Sequence, residues 1–465
     1  TGLWQIADME RKDPHLDLEK AARAMQAYTG AGITSFDMAD HYGSAEIIAG
    51  KFRKNHPDPQ EIQLLTKWVP EPGPSAKDKV RAAIQRSMDR LMVEQIDLLQ
   101  YHAWNYADPT WLDDLFWLEE LRQAGWIRQL GLTNFDTVHL NMVIQSGIKV
   151  VSNQICYSLL DQRARGEMTE LCMREGVKIL AFGTLAGGFL SDKWLNCVEV
   201  PVDQLQTWSQ MKYKRFIDTA GNWTVFQKLL MTLHEIGQKH QVSIANIAGK
   251  YILEQPAVGG IIIGARLGKS EHLTQTLRLF DCQLDQEDHK QIQFALQAFR
   301  SIPGDCGDEY RKPPFLTAAG DLSHHLEEFP VPYLVKESLS GRKKVLSGTL
   351  WEDLAGFSRA IREGNRILVS GTTATHRDRL IGGRDPAAQM HFVIDKIEGA
   401  IQSLGGRLED VVRTRIYVQQ LADWEAVARA HGQRFSTIQP ANTLIRSDII
   451  GEEYLVEMEA EAIVR

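Results

Sequence analysis

Short apolar runs recur along the first ~300 residues, each followed by a polar loop and a stretch with helical spacing: 33–37, 62–67, 96–102, 127–134, 150–154, 177–182 and 258–264. A short β-rich run leading into a helix is the βαβ pattern. The stretches 77–91 and 111–124 are clear examples of the intervening helices. Because the runs are apolar without alternation, they read as strands covered on both faces. Eight such strands in ~250 residues close into a (β/α)8 barrel, and seven are visible. The pattern therefore predicts an α/β barrel over residues 1–302, one strand short.

The periodicity then stops. Residues 303–344 carry Pro303, Pro313, Pro314, Pro330 and Pro332 and are rich in Gly, Asp and His, which predicts a linker. A different order of elements follows over 345–465. Strands are expected at 358–362 and 366–370, joined by the turn Glu363-Gly364-Asn365, and helices at 386–404 and 423–435. The stretches 411–418 and 454–464 alternate as half-buried strands, the second with Glu457, Glu459 and Glu461 on one face. Mixed in this order, they make an α+β domain.

Composition narrows the function. A chain of 465 residues, 43% hydrophobic and 24% charged, can bury a large core and is long enough for two domains. There is no apolar run of the ~18 residues a membrane span needs, and a net charge of −8 offers no footprint for nucleic acid or anionic membrane. Five scattered cysteines without a C-x-x-C point to reduced thiols in a cytoplasm-like compartment. His324-His325, near Asp305, Cys306 and Asp308, follows no metal-ligand spacing and reads as solvated loop, so no metal is expected.

The candidate chemistry sits where the apolar runs end. In such barrels the carboxyl ends of the strands converge on one mouth, which would bring Asp37, Lys67, His102, Asn134 and Gln154 together. A carbonyl that accepts hydride becomes an alkoxide and needs a proton, which a tyrosine can supply. Tyr42 is the candidate acid. Lys67 beside it would lower its pKa, and Asp37 would keep Lys67 charged and in place. His102 would orient the substrate oxygen by a hydrogen bond from neutral imidazole.

The sequences Phe36-Asp37-Met38-Ala39-Asp40-His41-Tyr42-Gly43, Thr66-Lys67, Tyr101-His102, Gly131-Leu132-Thr133-Asn134-Phe135 and Asn153-Gln154 resemble the aldo-keto reductase family over roughly residues 1–300. The resemblance implies an NADP(H)-dependent oxidoreductase acting on an aldehyde or ketone. Its catalytic residues fall on Asp37, Tyr42, Lys67 and His102. It implies nicotinamide contacts at Thr133, Asn134, Gln154 and Phe182, and a pyrophosphate loop at Gly183, Thr184, Leu185 and Gly187. Arg266, Lys269 and Ser270 would take the adenosine 2′-phosphate, although Gln275-Thr276 stands where the family carries Glu-Asn. Trp4, His41, Trp68 and Trp104 would line an aromatic substrate pocket, and the polar stretch 190–224 resembles a substrate-covering loop. The opening Thr1-Gly2-Leu3-Trp4 resembles the end of the family's first barrel strand, so the barrel is expected to be N-terminally incomplete and organelle targeting stays open.

The second half is similar to the Rid (YjgF-like, reactive-intermediate deaminase) family, with a chorismate-mutase-like α+β fold. Ile367-Leu368-Val369-Ser370-Gly371, Gly405-Gly406 and 454–460 carry the likeness. It implies a homotrimer with clefts between subunits. Asn442 stands where imine-hydrolysing members carry an arginine, and an amide offers a carboxylate no charged fork. The expectation is a small-molecule-binding or oligomerising domain that does not deaminate. Two alternatives are a nucleotide-sensing regulatory barrel and a reductase joined to a working imine deaminase.

Overall fold

Seven parallel strands follow one another in chain order around the first sheet: β1 (Ser35–Asp37), β2 (Gln63–Trp68), β3 (Ile96–Tyr101), β4 (Ile127–Thr133), β5 (Ser152–Cys156), β6 (Lys178–Phe182) and β7 (Val258–Ile261). The computed structural model describes residues 1–12, 16–269, 272–318 and 320–465. Each strand coincides with a predicted apolar run. Every residue of β5 is buried, as expected for a strand covered on both faces. The helix between β2 and β3 presents one apolar face: Lys77–Leu91 buries Val80, Ala83, Ile84, Ser87, Met88 and Leu91, a helical repeat, and stops at Met92 in the left-handed region.

Residues 1–3 occupy the gap between β7 and β1. Gly2 donates to the Ile263 carbonyl at 2.8 Å, Leu3 donates to the Asp37 carbonyl at 2.8 Å, and Asp37 donates to the Thr1 carbonyl at 2.8 Å. The ring is thus bridged at the end where Asp37 lies, although these residues form only isolated bridges.

The stretch predicted to be a linker does not behave as a solvated tether. Glu309, Cys306 and Tyr333 are buried, and its last part contributes β8 (Val335–Glu337) and β9 (Lys343–Val345) to the second sheet. That sheet continues with β10 (Ala360–Glu363) and β11 (Arg366–Thr373). After a small hairpin, β12 (Thr375–His376) and β13 (Arg379–Leu380), come β14 (Val411–Val418), β15 (Ala441–Arg446) and β16 (Val456–Ile463). Its order is β15-β14-β16-β11-β10-β9-β8. Neighbours are antiparallel except β14 and β15. In β16, Val456, Met458, Ala460 and Ala462 are buried and the three glutamates lie on the other face. The edge strand β15 is mostly exposed and carries no apolar alternation, so nothing in its sequence announced it.

Helices Pro386–Ser403 and Trp424–Phe435 cover the buried face of this sheet. The first of them has apolar residues nearly all round, because its far side packs on barrel helix Thr137–Gln145. Gly399 approaches the Ala107 carbonyl so closely that no side chain would fit. Polar bonds tie the two sheets' layers together: Asn141 to Asp385 at 2.9 Å, His376 to Asp113 at 3.0 Å and Arg377 to Asp113 at 2.9 Å. Among the described residues, no helix is long and apolar enough to cross a membrane.

Candidate active site

Parallel strands in register carry their carboxyl ends to one rim, and the polar residues at those ends meet there. Asp37 closes β1, and Lys67 is the last-but-one residue of β2. Lys67 Nζ donates to Asp37 Oδ2 at 2.7 Å and to the Met38 carbonyl at 2.8 Å. Asp37 Oδ1 accepts from Gln154 Nε2 at 2.7 Å and Gln100 Nε2 at 3.2 Å. The carboxylate is therefore held on both oxygens, and the Gln154 amide nitrogen serves this network.

Lys67 Nζ lies over the Tyr42 ring, 5.0 Å from its centroid. Its hydrogen bonds go to Asp37 and Met38, and this changes the expected electrostatics. Desolvation, then Asp37, Asp321 and Asp40, push the Tyr42 phenol well above its ordinary range. In place of the expected lowering by Lys67, burial raises the phenol most, and the charges of Asp37, Asp321 and Asp40 add to it. Burial also lowers the Lys67 ammonium, against the pull of Asp37.

His102 follows β3 and is buried. Burial, then Arg311, lower it to about 3, so the ring is neutral. Its Nδ1 meets the Thr133 carbonyl at 3.4 Å. A carbonyl only accepts, so this contact puts the proton on Nδ1 and leaves Nε2 as an acceptor. Nε2 and Asn134 Oδ1 are both buried and have no hydrogen-bond partner among the described residues. The expected donor role of His102 requires the other tautomer.

The remaining cofactor candidates are spread along the next strand ends. Thr133 Oγ1 donates to the Gln154 carbonyl at 3.1 Å, and Phe182, half-buried, lies beneath Lys212 Nζ at 5.7 Å. Thr184 Oγ1 bonds to the Tyr157 and Ala181 carbonyls, both at 3.3 Å, and Leu185 packs on the core. Gly183 and Gly187, at φ 71° and 62°, lie so close to Tyr213 and Ser209 of helix Trp208–Ala220 that a Cβ would collide. Arg266 is half-buried and Lys269 is exposed, while Ser270 lies outside the described residues.

Of the aromatic candidates, Trp104 packs edge-on to His102 with centroids 4.4 Å apart, and His41 packs on Tyr42 at 4.8 Å. Trp4 lies against Trp208. Trp68 is buried against Tyr101 at 5.6 Å, on the face of β2 opposite Lys67, since successive strand residues point to opposite sides. In the stretch 190–224, Trp194 and Trp223 pack with Phe189 as core, and Trp208 opens a helix.

A further aromatic-basic group lies beside His102, and no strand-end pattern marks it in the sequence. Tyr310, within the predicted linker, has its ring 6.0 Å from His102, and its hydroxyl accepts from Lys212. Lys212 also faces Asp321 at 3.9 Å. The stretch is anchored by Arg163, which bonds the Asp305 carbonyl at 2.8 Å and the Glu309 carboxylate at 2.9 Å. An aromatic-basic run, Tyr310-Arg311-Lys312, inside a Pro-rich segment was the available signal.

Parallel strands wound in chain order with helices between them, and polar residues gathered at their carboxyl ends, define a (β/α)8-type barrel with its candidate site at the mouth. The profile of the Aldo/keto reductase family matches residues 1–297, and the chain belongs to that family. Protein tas of Escherichia coli is 26% identical over 291 residues, covering 53% of this chain and 81% of that protein. The glycerol dehydrogenase of Gluconobacter oxydans superposes with a TM-score of 0.51 at 22% identity, covering 61% of this chain and 87% of the other, a likeness of fold. Residues 351–464 match the Endoribonuclease L-PSP family, the Rid-like family seen in the second half of the sequence. Here an uncharacterized Streptomyces coelicolor protein is 38% identical over 121 residues, covering 26% of this chain and 90% of that protein.

Proposed function

We propose that the barrel is an NADP(H)-dependent carbonyl oxidoreductase in which Tyr42 gives the proton. The observation that carries this reading is the buried Asp37–Lys67 pair, with Lys67 Nζ over the Tyr42 ring, and His102 Nε2 without a hydrogen-bond partner among the described residues. Bound NADPH would supply the hydride. The chain's own residues would supply everything else. A phenol pushed well above its usual range stays protonated near neutrality, as a donor must, but is a weaker acid for it, so proton transfer to the alkoxide depends on positive charge beside the phenol in the transition state. Lys67, held by Asp37, places positive charge against the phenol as it loses its proton. His102 fixes the substrate oxygen, as donor if a bound substrate turns the tautomer and as acceptor toward an alcohol otherwise.

The residues present suit the cofactor. Asn134 Oδ1 is a buried acceptor with no partner among the described residues, which a carboxamide N–H would satisfy. Phe182 offers a ring face for the nicotinamide. Arg266, Lys269 and Ser270 are assigned to the 2′-phosphate, and Trp4, His41 and Trp104 to the substrate.

The Rid-like domain is assigned a binding or oligomerising role. Asn442 Nδ2 is engaged by Thr414 Oγ1 at 2.8 Å, and its amide carries no charge for a carboxylate. Barrel helices cover this domain's helical side, while Ile361 and Leu368, with Arg413, Arg415, Glu459 and Glu461, line a hollow on the open face of the sheet. That face suits a homotrimer, which light scattering would detect. The experiment for the main reading is a titration with NADPH and with NADH, followed by tryptophan fluorescence, then turnover on an aldehyde and ketone panel. Micromolar binding that prefers NADPH, with turnover, is expected; binding of neither would overturn it.

A further inference from the structure

Asp136 begins helix Thr137–Gln145 by accepting the His139 backbone N–H at 2.8 Å. The His139 side chain then bridges two carboxylates from different domains. Its Nδ1 lies 2.7 Å from Asp136 Oδ1, and its Nε2 lies 2.9 Å from Asp395 Oδ2 on helix Pro386–Ser403. The ring is buried and stacks on Tyr106 with centroids 3.4 Å apart and planes at 10°. The Tyr106 hydroxyl accepts from the Asp136 backbone N–H at 3.3 Å and from Arg311. Arg311 Nη2 also donates to the Asn134 carbonyl at 2.9 Å. Asn134 itself has φ 59°, in the left-handed region, where surroundings must hold a residue with a side chain. A continuous set of contacts thus runs from the Rid-like domain to the backbone turn at 134–136.

We infer that Asp395 and His139 are positioning residues for Asn134, so that the barrel's grip on its dinucleotide depends on a bond made by the other domain. The inference rests on the reading above that Asn134 contacts the cofactor. Simple docking is a separate matter, because Asn141–Asp385, Asp113–His376 and Gly382–Ser146 also join the domains and none of them touches the 134–136 turn.

The charge state supplies a handle. Asp136 and, across Tyr106, Arg311 face His139 from the barrel side. Asp395 and His391 face it from helix Pro386–Ser403. Helix Trp424–Phe435 contributes Arg434, which bonds Asp395 at 2.6 Å and also pairs with Glu398. Burial lowers the imidazole, but Asp136 and Asp395 outweigh it and hold His139 at about 9. The bridge should therefore persist at neutral pH and open in alkali.

The test is NADPH affinity of the full chain between about pH 6.5 and 9.5, read by tryptophan quenching. Asn134→Ala should weaken binding about tenfold, the cost of one good hydrogen bond to a buried group. If it binds as the parent does, the cofactor contact is wrong and this inference falls with it. Given that loss, Asp395→Asn should weaken binding about fivefold and move the alkaline loss of affinity down by about one pH unit or more. Asn141→Ala should leave both unchanged. An Asp395→Asn variant that matches the parent at every pH, or equal losses in Asp395→Asn and Asn141→Ala, would overturn the inference while leaving Asn134 in the site. Should Asp395→Asn fail to fold, His139→Gln decides. Weakened binding without the alkaline transition supports positioning, and a transition at the parent's pH overturns it.

Discussion

Lys67 and Asp37 form an ion pair of 2.7 Å with side chains only 5% and 8% exposed, and among the described residues Asp37 has no other cation as a hydrogen-bond partner. Removing one member of such a pair strands the other charge, which costs about 3–5 kcal/mol. Lys67→Met should therefore lower the unfolding free energy by about that amount in urea and also abolish reduction. A variant with unchanged stability would mean the pair is solvated in solution.

Tyr42→Phe keeps the ring beneath Lys67 and removes only the hydroxyl. Turnover of any accepted aldehyde should fall by about a hundredfold or more, with NADPH affinity nearly unchanged. Near-full turnover would mean that another group gives the proton.

Arg266→Ala should weaken NADPH far more than NADH, because only the former carries the 2′-phosphate dianion that a guanidinium can grip. Parallel titrations check this. Equal losses would move the phosphate site elsewhere.

Stability should depend on pH through His139. Its folded value, about 9, lies above the ordinary 6.5, so its contribution is fully present below about pH 6.5 and lost as pH rises through about 9. The melting temperature of the full chain should fall over that interval, by the equivalent of at most about 3 kcal/mol. In His139→Gln the same interval should be flat; a matching slope would assign the effect to another group.

His102 contributes at the other end of the scale. Its folded value, about 3, lies below the ordinary 6.5, so protonation favours the unfolded chain as pH falls from about 6.5 toward 3. His102→Gln should be less sensitive to acid than the parent in equilibrium unfolding between those values. Equal sensitivity would show that His102 is not buried neutral in solution.

Much of the barrel was legible from local pattern. A strand covered on both faces must be continuously apolar, so β1 to β7 declared themselves, and Asp37, Lys67 and His102 stood out as polar residues ending such runs. The second sheet was legible where alternation was strong, as in β14 and β16, and silent where an edge strand such as β15 had no face to bury. Hydrogen-bond direction was beyond any sequence pattern. Lys67 gives its bonds to Asp37 and Met38, and His102 points Nδ1 at the Thr133 carbonyl, because the surrounding acceptors lie there.

Local residue pattern was enough for the seven strands, the order of the two domains and the polar side chains that end at the barrel mouth, since burial on one or both faces of an element dictates which residues it can carry. Tertiary packing alone set Tyr310 beside His102, added Val335–Glu337 and Lys343–Val345 to the second sheet, and brought Asp395 to His139 across 256 residues of chain. Polar and proline-rich stretches read alike whether they face water or another part of the protein. The partners that bury them lie far away in sequence, and folding alone brings them together.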